Sequence, residues 1–142
     1  MTKFDLVMFE LEGERYGFDI SIVREVVEVL PITPVPETPD FILGVINLRG
    51  EIIPVLDTKM RLGFGKTDIN EKSKLIIIES GENKAGLLLE ELPKVLHTDR
   101  ERVKTELLSI QSKLDPELIS GAIEEEFVIM LNPEAIILGG TI

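Results

Sequence analysis

The segment from Phe41 to Asp57, FILGVINLRGEIIPVLD, constrains the fold more than any other part of the chain. Two apolar runs, Ile42–Leu48 and Ile52–Leu56, have the length of strands and many β-branched residues. The break at Arg49–Glu51 contains a glycine, which can adopt the positive φ of a tight turn. Because the runs are almost continuously apolar, they predict a β-hairpin that is buried on both faces at the centre of the fold.

Two residues are unusual for a plain core hairpin. Gly44 lies inside a predicted strand, where glycine weakens the strand unless a bulge or another backbone needs the space. Arg49 lies at the predicted tip, between apolar strands. It is either a solvated turn residue or a fixed cation on a partner-binding surface, since arginine is enriched at interface hot spots.

The composition excludes several classes of function. With 142 residues, one domain is expected, and a chain of this length can bury a sufficient core. It has no cysteine, which excludes disulfides, thiolate metal sites and cysteine nucleophiles. A formal net charge of −11 argues against nucleic acid and anionic lipid as partners. Aromatic residues make up 5%, too few for base-stacking or sugar-binding platforms.

The sequence also lacks the signals of membrane insertion and export. No apolar run approaches the ~20 residues of a membrane-spanning helix. The first ten residues, MTKFDLVMFE, do not have the layout of a signal peptide. We therefore expect a cytosolic protein with no direct membrane insertion.

A short helix is predicted before the hairpin. Asp19 is a suitable N-cap for a helix that extends to about Glu25. On such a helix, Ile22 and Val26 would share the face that packs on the core, while Val23 and Glu25 would point outward.

A proline-rich segment, PITPVPETPD, then leads to the hairpin. Prolines at positions 31, 34, 36 and 39 stiffen an extended chain and cannot lie in a central strand. A rigid crossover between two lobes and a ligand for proline-recognition domains are both conceivable. The strands predicted on either side favour the crossover.

The remaining pattern is one of many short strands. Strands are predicted at Leu6–Leu11, Tyr16–Phe18, Val26–Leu30, Lys74–Glu79, Lys84–Glu90, Leu92–Thr98 and Phe127–Leu131, and short helices at Thr58–Leu62, Asp99–Arg102 and Asn132–Leu138. Residues 104–119 have a nearly helical spacing of apolar side chains. Short strands separated by glycine and proline are typical of β-barrels rather than of βαβ units.

Residues for catalysis or metal binding are scarce in this pattern. His97 is the only histidine and ends an apolar run, which favours a packed or edge position. The acidic runs Glu90–Glu91 and Glu124–Glu126 are poor acid–base pairs, because neighbouring side chains of a strand point to opposite faces. No glycine-rich phosphate-binding loop or calcium-loop spacing is present. We therefore predict a non-catalytic interaction module without a cofactor or bound metal.

Three segments resemble the CheW family, the coupling proteins of prokaryotic chemotaxis. "GVINLRGEIIPVLD" resembles the signature hairpin of the family, and "YGFDISIVREVVEVLPITPVPETPDFI" resembles the segment before it. "GAIEEEFVIMLNPEAII" resembles the closing strand and terminal helix of the family. The resemblance implies a single domain over residues 1–142, in which two intertwined five-stranded SH3-like β-barrels share a hydrophobic core. It also favours an irregular crossover over a helix at residues 104–119.

The resemblance further implies what the protein binds. CheW-like proteins are non-catalytic scaffolds that bind the regulatory domain of the histidine kinase CheA and the cytoplasmic tip of methyl-accepting chemoreceptors, within receptor arrays at the membrane. In that family the groove between the barrels takes receptor helices and the barrel ends take the kinase. The implied binding residues are Val23, Glu25, Gly44, Asn47 and Arg49, on the receptor-facing side. The rival hypotheses are a small-ligand-binding barrel, including an oligonucleotide- or sugar-binding one, and a small acid–base hydrolase.

Overall fold

The structure, a computed structural model, describes residues 2–106 and 112–138. In these residues the chain forms short strands, two α-helices and several single turns of 3₁₀-helix. The strands are β1 (Lys3–Leu11), β2 (Glu14–Asp19), β3 (Val23–Glu28), β4 (Ile42–Leu48), β5 (Glu51–Asp57), β6 (Lys74–Ser80), β7 (Asn83–Leu89), β8 (Lys94–Asp99), β9 (Ile119–Ile123) and β10 (Val128–Leu131). The helices are α1 (Thr58–Arg61) and α2 (Pro133–Leu138).

The strands form two five-stranded sheets, which confirms the mainly-β prediction. The terminal sheet, named for the chain ends that it contains, has the order β8-β1-β2-β10-β9, and the middle sheet has the order β3-β6-β7-β5-β4. Along both orders the pairings are antiparallel, antiparallel, parallel and antiparallel. The two sheets therefore share one topology.

The chain weaves between the sheets. The hairpin β1–β2 belongs to the terminal sheet, but β3, β4 and β5 that follow it belong to the middle sheet. The hairpin β6–β7 then joins the middle sheet, before β8, β9 and β10 return to the terminal sheet. The N-terminal hairpin β1–β2 therefore lies in one sheet with the C-terminal strands, and the hairpin β6–β7 lies in one sheet with β3, β4 and β5 from the first half of the chain. This exchange of hairpins confirms the predicted intertwining.

One apolar cluster joins both sheets and α2. It includes Phe18 of β2, Leu56 of β5, Ile76 of β6, Leu87 of β7 and Ile136 of α2, each exposed by 2% or less. A fully buried side chain of this size contributes roughly 1.5–3 kcal/mol, so the sheets stabilise each other. The shared core fixes how the strand ends and hairpin tips of both sheets are presented.

The predicted helix from Asp19 to Glu25 is wrong beyond its first turn. Asp19 caps as expected, since its Oδ1 accepts a hydrogen bond from the Ser21 N–H at 3.0 Å. The turn is a 3₁₀-helix of only Ile20–Ile22, and β3 begins at Val23. The β-branched residues of VREVVE favour an extended strand, and backbone pairing with β6 decides the outcome.

The prediction of a central hairpin buried on both faces is partly wrong. Strand β4 is an edge strand of the middle sheet, and Ile52 at the start of β5 is 62% exposed. Only the end of β5 has buried residues on both faces, with Val55 in a cluster under the proline-rich segment and Leu56 in the shared core. The proline-rich segment joins β3 to β4 of the same sheet, so the prediction that it crosses between two lobes is wrong. It covers part of the outer face of this sheet, and its Ile32 packs in that second cluster. This explains why apolar runs occur next to an edge.

Other boundaries differ by a few residues. Strand β8 begins at Lys94 rather than Leu92, and β9 was not predicted because Gly121 interrupts a short segment. The Asp99 side chain makes no capping hydrogen bond to the turn that follows it, Arg100–Arg102. Within the predicted crossover, Lys104 forms a single backbone bridge to Ala122. Residues 107–111 of that prediction lie outside the described residues.

Candidate functional site

The tip of the β4–β5 hairpin is a tight turn that displays Arg49. Arg49 and Gly50 have φ values of +49° and +85°, which are typical of the two central residues of a type I′ turn. The Asn47 Oδ1 accepts a hydrogen bond from the Gly50 N–H at 2.9 Å. Asn47 itself is exposed and lies opposite the exposed Ile52 in the hairpin. The turn therefore fixes the backbone position of Arg49 at the end of the hairpin.

Arg49 pairs with Glu25, and this contact links the two edges of the middle sheet. An Arg49 Nη2 donates a hydrogen bond to the Glu25 Oε2, and the two side chains are 68% and 31% exposed. Glu25 lies on β3, whereas Arg49 follows β4, and these strands are at opposite edges of the sheet. The sheet is therefore curled until its edges approach, and two residues that are distant in sequence form one surface.

Gly44 is a structural requirement of this surface rather than a contact on it. It is buried, has a φ of +144°, and a Cβ at this position would overlap the carbonyl oxygen of Thr33. The next residue, Val45, exchanges two backbone hydrogen bonds with Thr33, at 2.8 and 2.9 Å. Glycine at this position thus allows the proline-rich segment to pair with the edge strand β4.

Val23 is half-buried at the start of β3. It packs against the shared apolar core and pairs with Ile78 of β6. The outward orientation that was predicted for Val23 on a helix is therefore wrong in part, since the residue contributes to the core as well as to the surface. Of the five predicted residues, Glu25, Asn47 and Arg49 are the ones with exposed or partly exposed polar groups.

A shallow hollow of about 200 Å³ lies beside the Arg49–Glu25 pair. Its apolar lining comes from Leu48, Ile53 and Ile77, and its charged rim adds Arg24, Glu51 and Lys84 to the pair. The Arg24 guanidinium pairs with Glu79 at 2.6 Å, and the Lys84 ammonium pairs with Glu51 at 2.9 Å. Each cation of the rim is thus paired with a carboxylate. The hollow is smaller than the ~300–1,000 Å³ of small-molecule pockets.

The residues that could carry chemistry are dispersed. His97 lies on the edge strand β8, with its side chain 83% exposed and its Nδ1 2.6 Å from the Asp5 Oδ1, which confirms the edge position. Glu124–Glu126 form a 3₁₀ turn rather than a strand, so the strand argument about their directions was wrong. In residues 2–106 and 112–138, no group of three or more histidine, aspartate or glutamate side chains could hold a metal ion.

Sequence reasoning missed one conspicuous surface residue. Phe127, between β9 and β10, is 82% exposed and has a left-handed φ of +55°. The hydrophobic pattern made it the first residue of the predicted strand Phe127–Leu131, whereas β10 begins at Val128. The three glutamates before it were the available signal that the chain turns at this point.

The described part of the chain contains no helix with the length and apolar character needed to cross a membrane. Residues 5–139 match the profile of the family described as CheW, CheW-like domain. This match covers nearly the whole chain.

The chain belongs to the CheW family.

Individual CheW relatives agree with this. A chemotaxis protein CheW of Treponema pallidum (strain Nichols) is 30% identical over 107 residues, which cover 72% of this chain and 63% of the relative. A probable chemotaxis protein CheW of Rhizobium etli is 28% identical over 134 residues, which cover 93% of this chain and 86% of the relative. The matched segment is thus less than two thirds of the length of the Treponema relative.

A solved CheW structure has the same fold. The crystal structure of the scaffolding protein TtCheW from Thermoanaerobacter tengcongensis superposes with a TM-score of 0.82 and 37% sequence identity. The superposition covers 92% of this chain and 90% of the other. This chain is thus a CheW-family protein whose fold matches that of a scaffolding protein of the same family.

Proposed function

We propose that this protein couples the cytoplasmic tips of chemoreceptors to the histidine kinase CheA, by binding the regulatory domain of CheA and the receptor tip at the same time. It acts in the cytoplasm, at receptor arrays on the membrane, as one domain over residues 1–142 with two lobes. The observation that supports this best is the Arg49–Glu25 surface, in a chain of the CheW family. Receptor signals would change kinase activity through this bridge.

The receptor-facing side is proposed to be the surface around the β4–β5 tip. Arg49 supplies directional hydrogen bonds to backbone carbonyls or to a carboxylate, since its guanidinium presents several donors in a fixed plane. The Asn47 side chain stabilises the turn. Gly44 allows the proline-rich segment to pair with β4. Val23 lies two residues before Glu25 on β3 and helps to position it. The five predicted residues thus act together, although only some of them contact the receptor.

Exposed apolar side chains close to these residues supply contact area. Ile52 is 62% exposed and Ile20, just before β3, is 41% exposed. A receptor tip is an amphipathic helical hairpin, and its apolar face can pack on such side chains as in helix-in-groove recognition. Burying a Val or Ile contributes roughly 1.5–3 kcal/mol, so a few contacts reach micromolar affinity after the costs of association. Multivalency in an array strengthens contacts of this kind.

The kinase is proposed to bind at a different place, at a strand end of one sheet. Separate surfaces are required because a coupling protein must hold both partners simultaneously. The two sheets present two hairpin tips of the same topology, the β4–β5 tip and the β9–β10 tip. This leaves a surface for the kinase when the β4–β5 tip is occupied by a receptor.

The test is a sequential binding measurement with the full chain. A CheA regulatory-domain fragment from the same organism is titrated into the protein in a calorimeter, and a receptor-tip fragment is added to the preformed complex. Binding of both fragments, one after the other, is the expected result. If neither fragment binds, or if each displaces the other, the chain does not bridge receptor and kinase.

The small-ligand and hydrolase hypotheses have less support. The hollow beside Arg49 is small, and its carboxylates are paired with cations, whereas a hydrolase needs two carboxylates in one cleft and at least one with a strongly raised pKa. Turnover of a generic ester or glycoside substrate by the purified chain would revive these alternatives.

A further inference from the structure

The β9–β10 tip displays an aromatic side chain that the shared core does not need. Phe127 is 82% exposed, more than any other large hydrophobic residue that the structure describes as exposed. Its φ of +55° lies in the left-handed region, which L side chains rarely adopt and bulky ones least of all. A strained backbone that holds an aromatic ring in water gives the folded protein no stability, and this points to a role outside the fold.

The backbone around Phe127 is held firmly. The Phe127 N–H donates to the Glu124 carbonyl at 3.1 Å, and the Arg15 guanidinium donates to the Glu126 carbonyl at 3.2 Å. The next residue, Val128, is buried and pairs with Ile123 on one side and with Arg15 on the other. The ring is therefore presented by an ordered tip with a buried base.

This tip is the counterpart of the tip that presents Arg49. The strand pairs β4–β5 and β9–β10 occupy the same place in the two sheet orders, at the edge beside a parallel pairing. Both tips carry a non-glycine residue with a left-handed φ and an exposed side chain, Arg49 in one and Phe127 in the other. A feature that recurs at equivalent positions of two sheets with different sequences indicates a recurring use.

The charge at the Phe127 tip limits what it can bind. Glu124 pairs with Lys104 at 2.8 Å, while Glu125 and Glu126 make no ion pair with the residues that the structure describes. Two of the three glutamates that directly precede Phe127 therefore carry charges that no ion pair among the described residues neutralises. A partner with basic side chains around an apolar pocket would match this arrangement, since complementary charges accelerate encounter and reject wrong partners.

We infer that the β9–β10 tip is a second protein-docking surface, with Phe127 as its apolar anchor and with a partner surface that offers an apolar pocket bordered by lysine or arginine. The inference rests on the proposed function, in which the β4–β5 tip binds the receptor and the kinase regulatory domain binds a separate surface. Aromatic anchors seated in a pocket dominate the energetics of many interfaces. The Phe127 tip therefore contributes most of the affinity for the regulatory domain and little to receptor binding.

The test compares Phe127→Gly with the unchanged chain, using the CheA regulatory-domain fragment and the receptor-tip fragment as separate probes. Glycine suits the left-handed φ, so the variant remains folded and its melting temperature does not fall. The expected result is at least tenfold weaker binding of the regulatory domain, with receptor-tip binding unchanged. Ile69→Ser is the matched control, because Ile69 is also a highly exposed hydrophobic residue, at 57%, and lies away from both tips in sequence.

The charge requirement has its own variant. Replacing both Glu125 and Glu126 by glutamine should weaken regulatory-domain binding and flatten its dependence on salt concentration, since charge pairs at an interface rim are screened by salt. Unchanged regulatory-domain affinity in Phe127→Gly would overturn the inference and leave the proposed function standing. Failure of the unchanged chain to bind the regulatory domain would overturn both, and a loss in Phe127→Gly of receptor-tip binding alone would reassign the surface.

Discussion

The terminal and middle sheets have the same strand pairings but present different chemistry at equivalent tips. In the middle sheet the tip carries Arg49, whose charge is paired with Glu25 across the curled sheet. In the terminal sheet the tip carries Phe127, exposed beside a run of glutamates. The common topology provides two similar platforms, and the residues at their tips differentiate them. The two proposed docking surfaces are therefore located at turns, while the strands support them.

In both sheets a glycine on an edge strand allows the close approach of another backbone segment. A Cβ at Gly44 would overlap the Thr33 carbonyl oxygen, and a Cβ at Gly121 would lie 2.8 Å from the Lys104 carbonyl oxygen. In each case the residue after the glycine forms a backbone bridge to the crossing segment, Val45 to Thr33 and Ala122 to Lys104. The edge strands β4 and β9 are thereby covered in part, which reduces edge-to-edge association.

The largest expected effect separates these two glycines. Gly44→Ala should destabilise the protein by about 3 kcal/mol or more, because it combines a backbone clash with a φ of +144°. Gly121→Ala should cost about 1–2 kcal/mol, because its clash is milder and its φ is not in the left-handed region. Urea unfolding of both variants measures this, and equal losses would show that the two crossings are equally tight.

The next effect compares the helix caps that follow the parallel strands. The buried Asp57 accepts hydrogen bonds from the Thr67 N–H at 2.9 Å, the Thr67 hydroxyl at 2.6 Å and the Met60 N–H at 3.3 Å. Asp57→Ala should therefore cost about 2–3 kcal/mol, since it leaves buried donors unpaired. The side-chain oxygen of the half-buried Asn132 accepts one hydrogen bond, from the Ala135 N–H at 3.3 Å, and Asn132→Ala should cost about 1 kcal/mol. Chemical unfolding ranks the two, and a larger loss for Asn132→Ala would contradict the comparison.

A binding effect distinguishes the tips themselves. Arg49→Ala should weaken binding of the receptor-tip fragment at least tenfold, about 1.4 kcal/mol, because it removes the directional donor. The free energy of unfolding should change by less than about 0.5 kcal/mol, since the pair with Glu25 is largely exposed. Arg24→Ala, which removes a neighbouring cation paired with Glu79, is the control. Receptor affinity in Arg49→Ala equal to that of the unchanged chain, by calorimetry, would remove Arg49 from the site.

The smallest effect concerns an ion pair of the terminal sheet. Burial tends to raise the pKa of Asp19, but hydrogen bonds from Ser21 and from Arg100 outweigh this and hold the pKa below its usual 3.8. The pair therefore stabilises the fold above the unfolded-state pKa, and this contribution is lost as the pH falls through the folded-state pKa. Asp19→Asn keeps the cap and removes the charge, so it should cost about 0.5 kcal/mol at pH 7, and the cost should disappear as the pH falls through the folded-state pKa of Asp19. Stability curves of both proteins against pH measure the difference, and a difference that does not shrink with falling pH would assign the loss to the cap instead.

Much of the fold could be predicted from local chemistry. The hairpin turn that contains Gly50 and the short helices that begin near Thr58 and Asn132 were predicted from residue type and spacing, and each is present in the structure. The strand that begins at Val23 was not predictable in the same way, because the spacing of Ile22 and Val26 also fits one face of a helix, and pairing with β6 decided between the two.

The candidate site was predicted as a set of residues and not as an arrangement. Its five positions came from the resemblance to a family, and the structure separates them into an exposed ion pair, a turn support, a half-buried valine and a buried glycine. Phe127 was assigned to a strand because an apolar residue beside VIML fits a core pattern, and its exposure depends on a left-handed φ that no periodicity reports.

The sequence by itself determined that this chain is mainly β, that it has strands enough for two lobes, and that it has no cysteine and a single histidine. These properties follow from residue type and from spacing along the chain, which act locally. Only the tertiary structure decided that each half of the chain lends a hairpin to the other half's sheet, and that Glu25 meets Arg49 across a curled sheet. Such contacts join residues that are far apart in sequence, so their free energy depends on how the whole chain packs rather than on any local pattern.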